Sequence, residues 1–559
     1  MRKAKAIPTP KGGGSMFARL SIILVYLVAM LVIGIVFRKA SSANKVEFLL
    51  AGRGLGRVLL FITMAATNFS AYTIFGLSGA GYRIGYAYFP IMGFGTGFMA
   101  LGMFVVGRRI VALSKERGYV TPSDFVADRY GSPAFKRFFS LVLVVFTLPY
   151  IAIQAVSSGR SLESLVGIPY AVGALLVTGC IVLYVVLGGM RSVAWTDVVQ
   201  ALMIIGFTFA AFLLIARASG GFLQVNREVS GSFPALYSRP GLDGSMSPGV
   251  WFGFLFLWFF ADPMFPQLFQ KLIAAKDGRS LKTTVVLYPL ITTLLFFLTV
   301  SIGVMGRHAF PDLPASQSES IFPMLLARFA SPVVGTLLLT GGLAALMSTM
   351  DSQLLTLSSL ITLDFFPVRR REVRIGRIAV VLLGAFGYLI ALRPPATILD
   401  FMNRSSFTGL AVLAPTVIGG LYWRKANVRG AAASIIAGEA LVFLFYFNVL
   451  RVPGIQPVVP AVAAAALVFI AVSLFFPGRG GNTALVLPAG KGSLLRALPF
   501  AVLFLLANDF WAWGKAPRFF LGLPLWVWYS IGLGVLLSVA YLLLLRPRDV
   551  SDSRSVDPG

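Results

Sequence analysis

Residues Phe254 to Ala275 read FLFLWFFADPMFPQLFQKLIAA. The stretch is apolar enough, and long enough, to cross a hydrocarbon core, which takes about 20 helical residues. Asp262-Pro263 and Pro266 fall in its middle. A proline inside a helix removes a backbone donor and clashes with the preceding turn, so this helix kinks or breaks there. A second span, VLLFITMAATNFSAYTIFGLSGAG from Val58 to Gly81, lapses in the same way around Ala66 to Tyr72. Non-helical backbone at membrane depth survives only where it is buried in protein or lines a wet cavity. For either helix alone, a kink that merely shapes a packed bundle is the commoner explanation. The two breaks, however, open two blocks of five spans each. Interrupted helices in matching positions point to a transporter built from inverted repeats, with its site at the breaks.

The rest of the chain fits a polytopic helical membrane protein. Of its 559 residues 57% are hydrophobic and 12% charged, against roughly 25% charged in soluble domains. Mean hydropathy is +0.84. Apolar stretches near 17–37, 58–81, 86–107, 134–158, 168–187, 193–216, 249–270, 284–306, 332–361, 375–393, 397–422, 430–450, 456–477, 495–513 and 524–545 read as spans. One cysteine, Cys180, excludes an intramolecular disulfide and a cysteine metal site, and one histidine, His308, read as lying in a loop, excludes a histidine cluster. A net charge of +27 would suit a nucleic-acid partner, but the basic residues lie in short loops between apolar runs, so no nucleic acid is expected.

Most of the basic residues fall in alternate loops: Arg38 to Arg57, Arg108 to Arg137, Lys271 to Lys282, Arg369 to Arg377, and Arg424 to Arg429. The excess of lysine and arginine marks the cytoplasmic side. This places the N-terminus outside and the C-terminus in the cytoplasm of a multi-pass protein of the cell (inner) membrane. The main exceptions, Arg2, Lys3, Lys5 and Lys11, precede Met16, a candidate start. The first span is too long for a removed signal peptide.

In the ninth span, AALMSTMDSQLL from Ala344 to Leu355 carries hydroxyls and a carboxylate at membrane depth. At 100° per residue Ala345, Ser348, Thr349, Ser352, Thr356 and Ser359 share one face, with Asp351 on its shoulder. Small hydroxyl residues commonly close helix contacts or bond their own backbone. An aspartate at this depth is different, because it needs protein, water or an ion to face. A carboxylate beside hydroxyls, opposite the unwound carbonyls of another helix, offers the hard oxygens a small cation wants.

ALMSTMDSQLLTLSS resembles the eighth core helix of the sodium:solute symporter family, which includes proline, pantothenate, monocarboxylate, sialic-acid and sugar symporters. LGGMRSVAWTDVVQ from Leu187 to Gln200 resembles the family's Gly-Gly…Trp-Thr-Asp…Gln signature. AGRGLGRVLLFITMAATNFSA resembles its first core helix, and GLYWRKANVRGAAAS from Gly420 to Ser434 the turn after its tenth. The resemblance implies an all-α, leucine-transporter-like fold of two inverted five-helix repeats, here spans two to eleven of about 15. It implies a Na⁺ site of the Ala66, Phe69 and Ala345 carbonyls with the Ser348 and Thr349 hydroxyls. Some members use a second cation site, whose positions here hold Asp197, Asp351 and Ser352. Asp351 departs from the family's serine. It could strengthen that site, accept a proton, form a gate with a basic residue, or sit in an ordinary buried ion pair.

In such a fold the solute lies among core helices one, three, six, seven and ten. Candidate contacts are Thr67, Asn68, Ser70 and Tyr72 on the first break, Gln154 on the fourth span, and Trp258, Asp262 and Gln267 on the seventh. Arg404, in TILDFMNRSSFTG at the start of span eleven, could snorkel outward or clamp a carboxylate with its planar fork. The segment MFPQLFQKLIAAKD looks closer to monocarboxylate and pantothenate-like members than to proline or sugar carriers. The expected function is sodium-coupled import of a small organic solute, leaning to a monocarboxylate, by alternating access. The expected partners are the solute, Na⁺ as coupling ion and the bilayer, with the chain acting as a monomer. Proline-, pantothenate- or sugar-type symport and a transporter-like sensor are the alternatives. A channel fits paired broken helices less well, and no nucleophile–base pair suggests an enzyme. The expected division is a basic, Gly-rich tail at 1–16, an extra helix and loop at 17–47, the symporter core at 48–425, further helices at 426–546 and a polar tail at 547–559. The last two spans lie beyond the family's common thirteen.

Overall fold

The computed structural model describes residues 13–41, 45–242, 244–366, 371–393, 402–477, 481–486 and 493–545. Most of the two expected tails, the start of span eleven and the loop start at Arg369 lie outside these residues. Among the described residues eleven helices are long and apolar enough to cross a membrane, and two bent pairs make further spans. One of the eleven, Tyr170–Ala218, covers two expected spans, because Gly189 breaks it with φ 55° and ψ −155°. Only glycine takes that backbone region readily. A side chain there would also strike Phe48, whose carbonyl oxygen would lie 2.7 Å from an added Cβ. The Gly-Gly of the signature is therefore the corner between the fourth and fifth core helices.

The first core helix runs Arg57–Asn68, stops, and restarts as Tyr72–Gly76 and Leu77–Arg83, bent by 58°. Three groups take over the amides freed by the break. Ser70 N donates to Thr73 Oγ1 at 3.3 Å, Ala71 N to Gln154 Oε1 at 3.1 Å, and Tyr72 N to Ser70 Oγ at 3.2 Å. The carbonyls on the other side of the break lose their helical partners and become available to ligands. The sixth core helix is Pro248–Ala261, a single tight turn Asp262–Met264, then Pro266–Ala274, bent by 52°. Phe265, held extended at ψ 118° by the proline that follows it, is the hinge.

On one face of the molecule the two repeats meet. Leu55 pairs in parallel with Ala275, through Leu55 N to Ala274 O at 3.3 Å and Lys276 N to Leu55 O at 2.8 Å. The first core helix climbs from this contact toward Arg83 on the opposite face. Its outer half lies against the seventh core helix, Gly278–Ala309, at glycine contacts. A Cβ on Gly303 would sit 2.0 Å from Ser78 O, and one on Gly81 2.2 Å from Val300 O. His308 closes the last turn of that helix rather than lying in a loop, and its Nδ1 is 3.2 Å from Glu228.

The additional helices are tied to the core. Leu525–Leu544 packs on the second core helix, Phe89–Arg117, and on the seventh, with Ser538 Oγ donating to Val286 O at 2.5 Å and Tyr541 OH to Gly97 O at 3.2 Å. At its start Arg239 is buried among Trp251, Trp513 and Trp526, its guanidinium 5.3, 4.3 and 5.2 Å from their rings. Arg239 pairs with Asp509 at 2.7 Å and donates to Ala87 O at 3.1 Å.

Candidate functional site

The eighth core helix, Pro332–Leu360, begins at Ser331, whose hydroxyl caps Val334 N at 3.4 Å. Its polar stripe turns inward, and Ser348, Thr349, Asp351, Ser352, Thr356 and Ser359 are all buried. The stripe meets the first break. Ser348 Oγ lies 2.8 Å from Ala66 O and 3.0 Å from Ala345 O. Thr349 Oγ1 lies 2.8 Å from Thr67 O, 3.2 Å from Ala345 O and 3.5 Å from Phe69 O. Ala66, Phe69, Ala345, Ser348 and Thr349 thus converge, with the Thr67 carbonyl as a sixth oxygen. All are neutral, and the carbonyls on the first helix are free of backbone partners because the helix ends there. Such a set suits a small monovalent cation.

One turn further in, a group that the sequence reading had placed in an inner loop dominates. Lys271 is fully buried on the half-helix Pro266–Ala274. Its ammonium pairs with Asp197 at 2.7 Å and donates to Thr63 O at 2.9 Å, Thr63 Oγ1 at 2.5 Å and Thr67 Oγ1. Thr63 Oγ1 also bonds Asp197, and Thr67 shares a 3.0 Å hydrogen bond with Ser352. A lysine near the end of an apolar run reads as a snorkelling boundary residue. The signal that it is not one is Pro266, which restarts the helix and leaves Lys271 within it.

Asp351 points elsewhere. Its Oδ2 accepts from Tyr184 OH at 2.8 Å and Thr196 Oγ1 at 3.4 Å, and its Oδ1 has no hydrogen-bond partner. No basic side chain among the described residues forms an ion pair with it. Gln270, also missed in the sequence, bridges to the same stripe, accepting from Thr356 and donating to Ser359 at 3.2 Å.

Between the breaks lies a small pocket of about 10 Å³, lined by Asn68, Ser70, Tyr72, Thr73, Tyr150, Trp258, Phe265 and Phe407 among others. Four of the expected solute contacts, Asn68, Ser70, Tyr72 and Trp258, meet here. Asn68 Nδ2 donates to Tyr288 OH at 2.7 Å and to Asp262 Oδ2 at 3.4 Å. Asp262 and Gln267 are not part of the lining, and each is buried with one side-chain oxygen unpartnered. Thr67 faces Lys271 rather than the pocket. Gln154 caps the restarted first helix.

Tyr72 forms the roof. Its hydroxyl shares a 2.9 Å hydrogen bond with Tyr88 and donates to Asn403 Oδ1 at 3.3 Å, while its ring meets Trp258 and Phe407 edge-on at 5.6 and 5.5 Å. Beyond the roof, a cavity of about 670 Å³ opens on the face opposite the Leu55–Ala275 contact. Arg83, Arg404 and Arg451 line it with Asn403, Asn448 and Gln456, and no acidic side chain does so among the described residues. Arg404 therefore sits outside the roof, not in the central pocket.

Residues 48–438 match the sodium:solute symporter family. The chain belongs to that family. Na⁺ and a small solute are thus its cargo, and it is a multi-pass membrane transporter. The chain is 28% identical over 459 residues to the sodium/pantothenate symporter of Escherichia coli (strain K12), covering 80% of this chain and 94% of the relative. It is also 28% identical over 477 residues to the osmoregulated proline transporter OpuE of Bacillus subtilis (strain 168), at 80% and 93% coverage. Among solved structures, a Na⁺-coupled sialic acid symporter superposes with TM-score 0.67 at 17% identity, covering 83% of this chain and 99% of that one. The nucleobase-cation-symport-1 family transporter Mhp1 superposes with TM-score 0.55 at 10% identity, covering 78% and 95%. These likenesses establish the leucine-transporter-like fold that the family resemblance implied.

Proposed function

We propose that this symporter moves a small carboxylate, a monocarboxylate or a similar acid, into the cell together with Na⁺, by alternating access. The observation that carries the carboxylate is the outer cavity, whose wall holds three arginines and, among the described residues, no acidic side chain. A concave site of one charge sign concentrates ligands of the other sign and speeds their encounter. Pantothenate, proline and sialic acid, named for the relatives and the neighbour, all carry a carboxylate.

In this reading the solute enters past Arg404 and settles against Asn68, Ser70, Tyr72 and Trp258. Na⁺ takes the carbonyls of Ala66 and Phe69 on the same break, with the oxygens of Ala345, Ser348 and Thr349 on the eighth core helix. One ion and one solute then hold a single stretch of unwound backbone, so binding either arranges the groups that bind the other. Separation of the Leu55–Ala275 contact opens the inner path, while the Tyr72–Tyr88–Asn403 roof closes the outer one. The excess of lysine and arginine in the inner loops supports a cytoplasmic inner face and C-terminus and an outside N-terminus. The test is uptake of labelled pyruvate, pantothenate, proline and glucose into proteoliposomes under an inward Na⁺ gradient. The carboxylate-bearing solutes should accumulate and glucose should not. Accumulation of glucose without any of the acids overturns the substrate class.

A further inference from the structure

We infer that the Lys271 ammonium is a resident cation that stands in for a second coupling ion, so that the transporter binds a single Na⁺. The inference rests on the Na⁺-coupled reading above and goes beyond it to the stoichiometry. Four oxygens surround Lys271 Nζ: the Asp197 carboxylate at 2.7 Å, Thr63 O at 2.9 Å, Thr63 Oγ1 at 2.5 Å and Thr67 Oγ1. A carboxylate, a helix carbonyl and two hydroxyls form a cation cage in type and number, and the ammonium shares its three donors among these four oxygens. Lys271 and Asp197 are both fully buried, and an ion pair removed from water depends on hydrogen bonds to its remaining polar positions. Here Thr63 and Thr67 bond the ammonium and Thr63 bonds Asp197 Oδ2, while Asp197 Oδ1 has no hydrogen-bond partner.

Adding a metal ion to this cage would set two positive charges side by side. At about 4 Å, in surroundings of intermediate dielectric, their repulsion weakens metal binding about a thousandfold. The other carboxylate of the region, Asp351, takes its hydrogen bonds from Tyr184 and Thr196. Of the three residues expected to form a second cation site, Asp197 is therefore neutralised from within the chain, and Ser352 is bonded to Thr67. The cage also touches the remaining site, since Thr67 presents its hydroxyl to Lys271 and its carbonyl to Thr349. The tethered charge thereby braces the turn of the first helix that binds Na⁺.

The experiment is ²²Na⁺ binding to the purified full-length transporter at pH 8, without solute, in wild type, Lys271→Ala and Lys271→Arg. The wild type should bind one Na⁺ per chain with a Hill coefficient of one. Lys271→Ala leaves the Asp197 carboxylate without its counter-charge, and a second Na⁺ should take its place, raising both the count and the Hill coefficient toward two. Lys271→Arg, which keeps the charge, should stay at one. Two Na⁺ per wild-type chain overturns the inference while leaving Na⁺-coupled transport standing. No Na⁺ on the wild type overturns both. A folded Lys271→Ala that still binds one Na⁺ shows that the lysine is not standing in for an ion. The wild-type count decides the matter even if the alanine variant does not fold.

Discussion

Ser348 Oγ lies 2.8 Å from the Ala66 carbonyl, joining the eighth core helix to the point where the first core helix stops. The contact crosses between the two repeats. A cation bound there would hold the repeats in one arrangement, and its loss would free them. Replacing Ser348 and Thr349 together with alanine removes two of the six converging oxygens while keeping good helix formers. Apparent Na⁺ affinity should fall at least tenfold, about 1.4 kcal/mol. Titration of transport against Na⁺ reads this directly, and an unchanged Na⁺ dependence in the double variant rules the site out.

Arg404 is exposed on the wall of the outer cavity. Its expected role is to attract and orient the acid before the roof closes. Arg404→Gln should raise the solute KM severalfold with little change in the maximal rate. Arg404→Lys should recover much of the loss, because attraction at this distance needs charge more than a planar fork. A fall in maximal rate with KM unchanged would place Arg404 in the transport step instead. Initial uptake rates over a range of solute concentrations separate the two.

Gly189 turns the chain between the fourth and fifth core helices at a positive φ. Gly189→Ala should destabilise the fold by about 1–3 kcal/mol from backbone strain, and by more from the contact with Phe48. Thermal unfolding in detergent should show the loss, whereas alanine at Gly206, which has open space around it, should be neutral. Equal stability of the two variants would remove the corner's dependence on glycine.

Arg239 and Asp509 form a buried pair at 2.7 Å inside three tryptophans. Removing one partner of such a pair costs about 3–5 kcal/mol, because the other charge stays buried. Arg239→Met should lower the unfolding temperature more than the double variant Arg239→Met/Asp509→Leu, which leaves no orphan charge. A double variant no better than the single one would show that the cation–ring contacts, not the pairing, fasten the last helices.

The breaks were legible because proline and a polar lapse are local signals, and the eighth helix because its hydroxyls repeat at helical spacing. The signature glycines were legible as a motif, but not as a corner, since φ is invisible in a sequence. Gln154 reads as a solute contact from its depth alone. That it caps Ala71 depends on a helix brought alongside by the fold. Lys271 was missed because its place near the end of an apolar run looks like a boundary, and its partner Asp197 lies 74 residues away. The last helices read only as extra spans, because the contacts that hold them, Arg239 in a loop among them, join residues far apart in the chain.

The central claim is that the Na⁺ gradient drives the solute. The most direct measurement is accumulation of labelled pantothenate or pyruvate in proteoliposomes, under an inward Na⁺ gradient and under an equal K⁺ gradient, with membrane potential clamped to the same value. Accumulation above the outside concentration with Na⁺ and only equilibration with K⁺ is the predicted result. Equal accumulation under both gradients would contradict it.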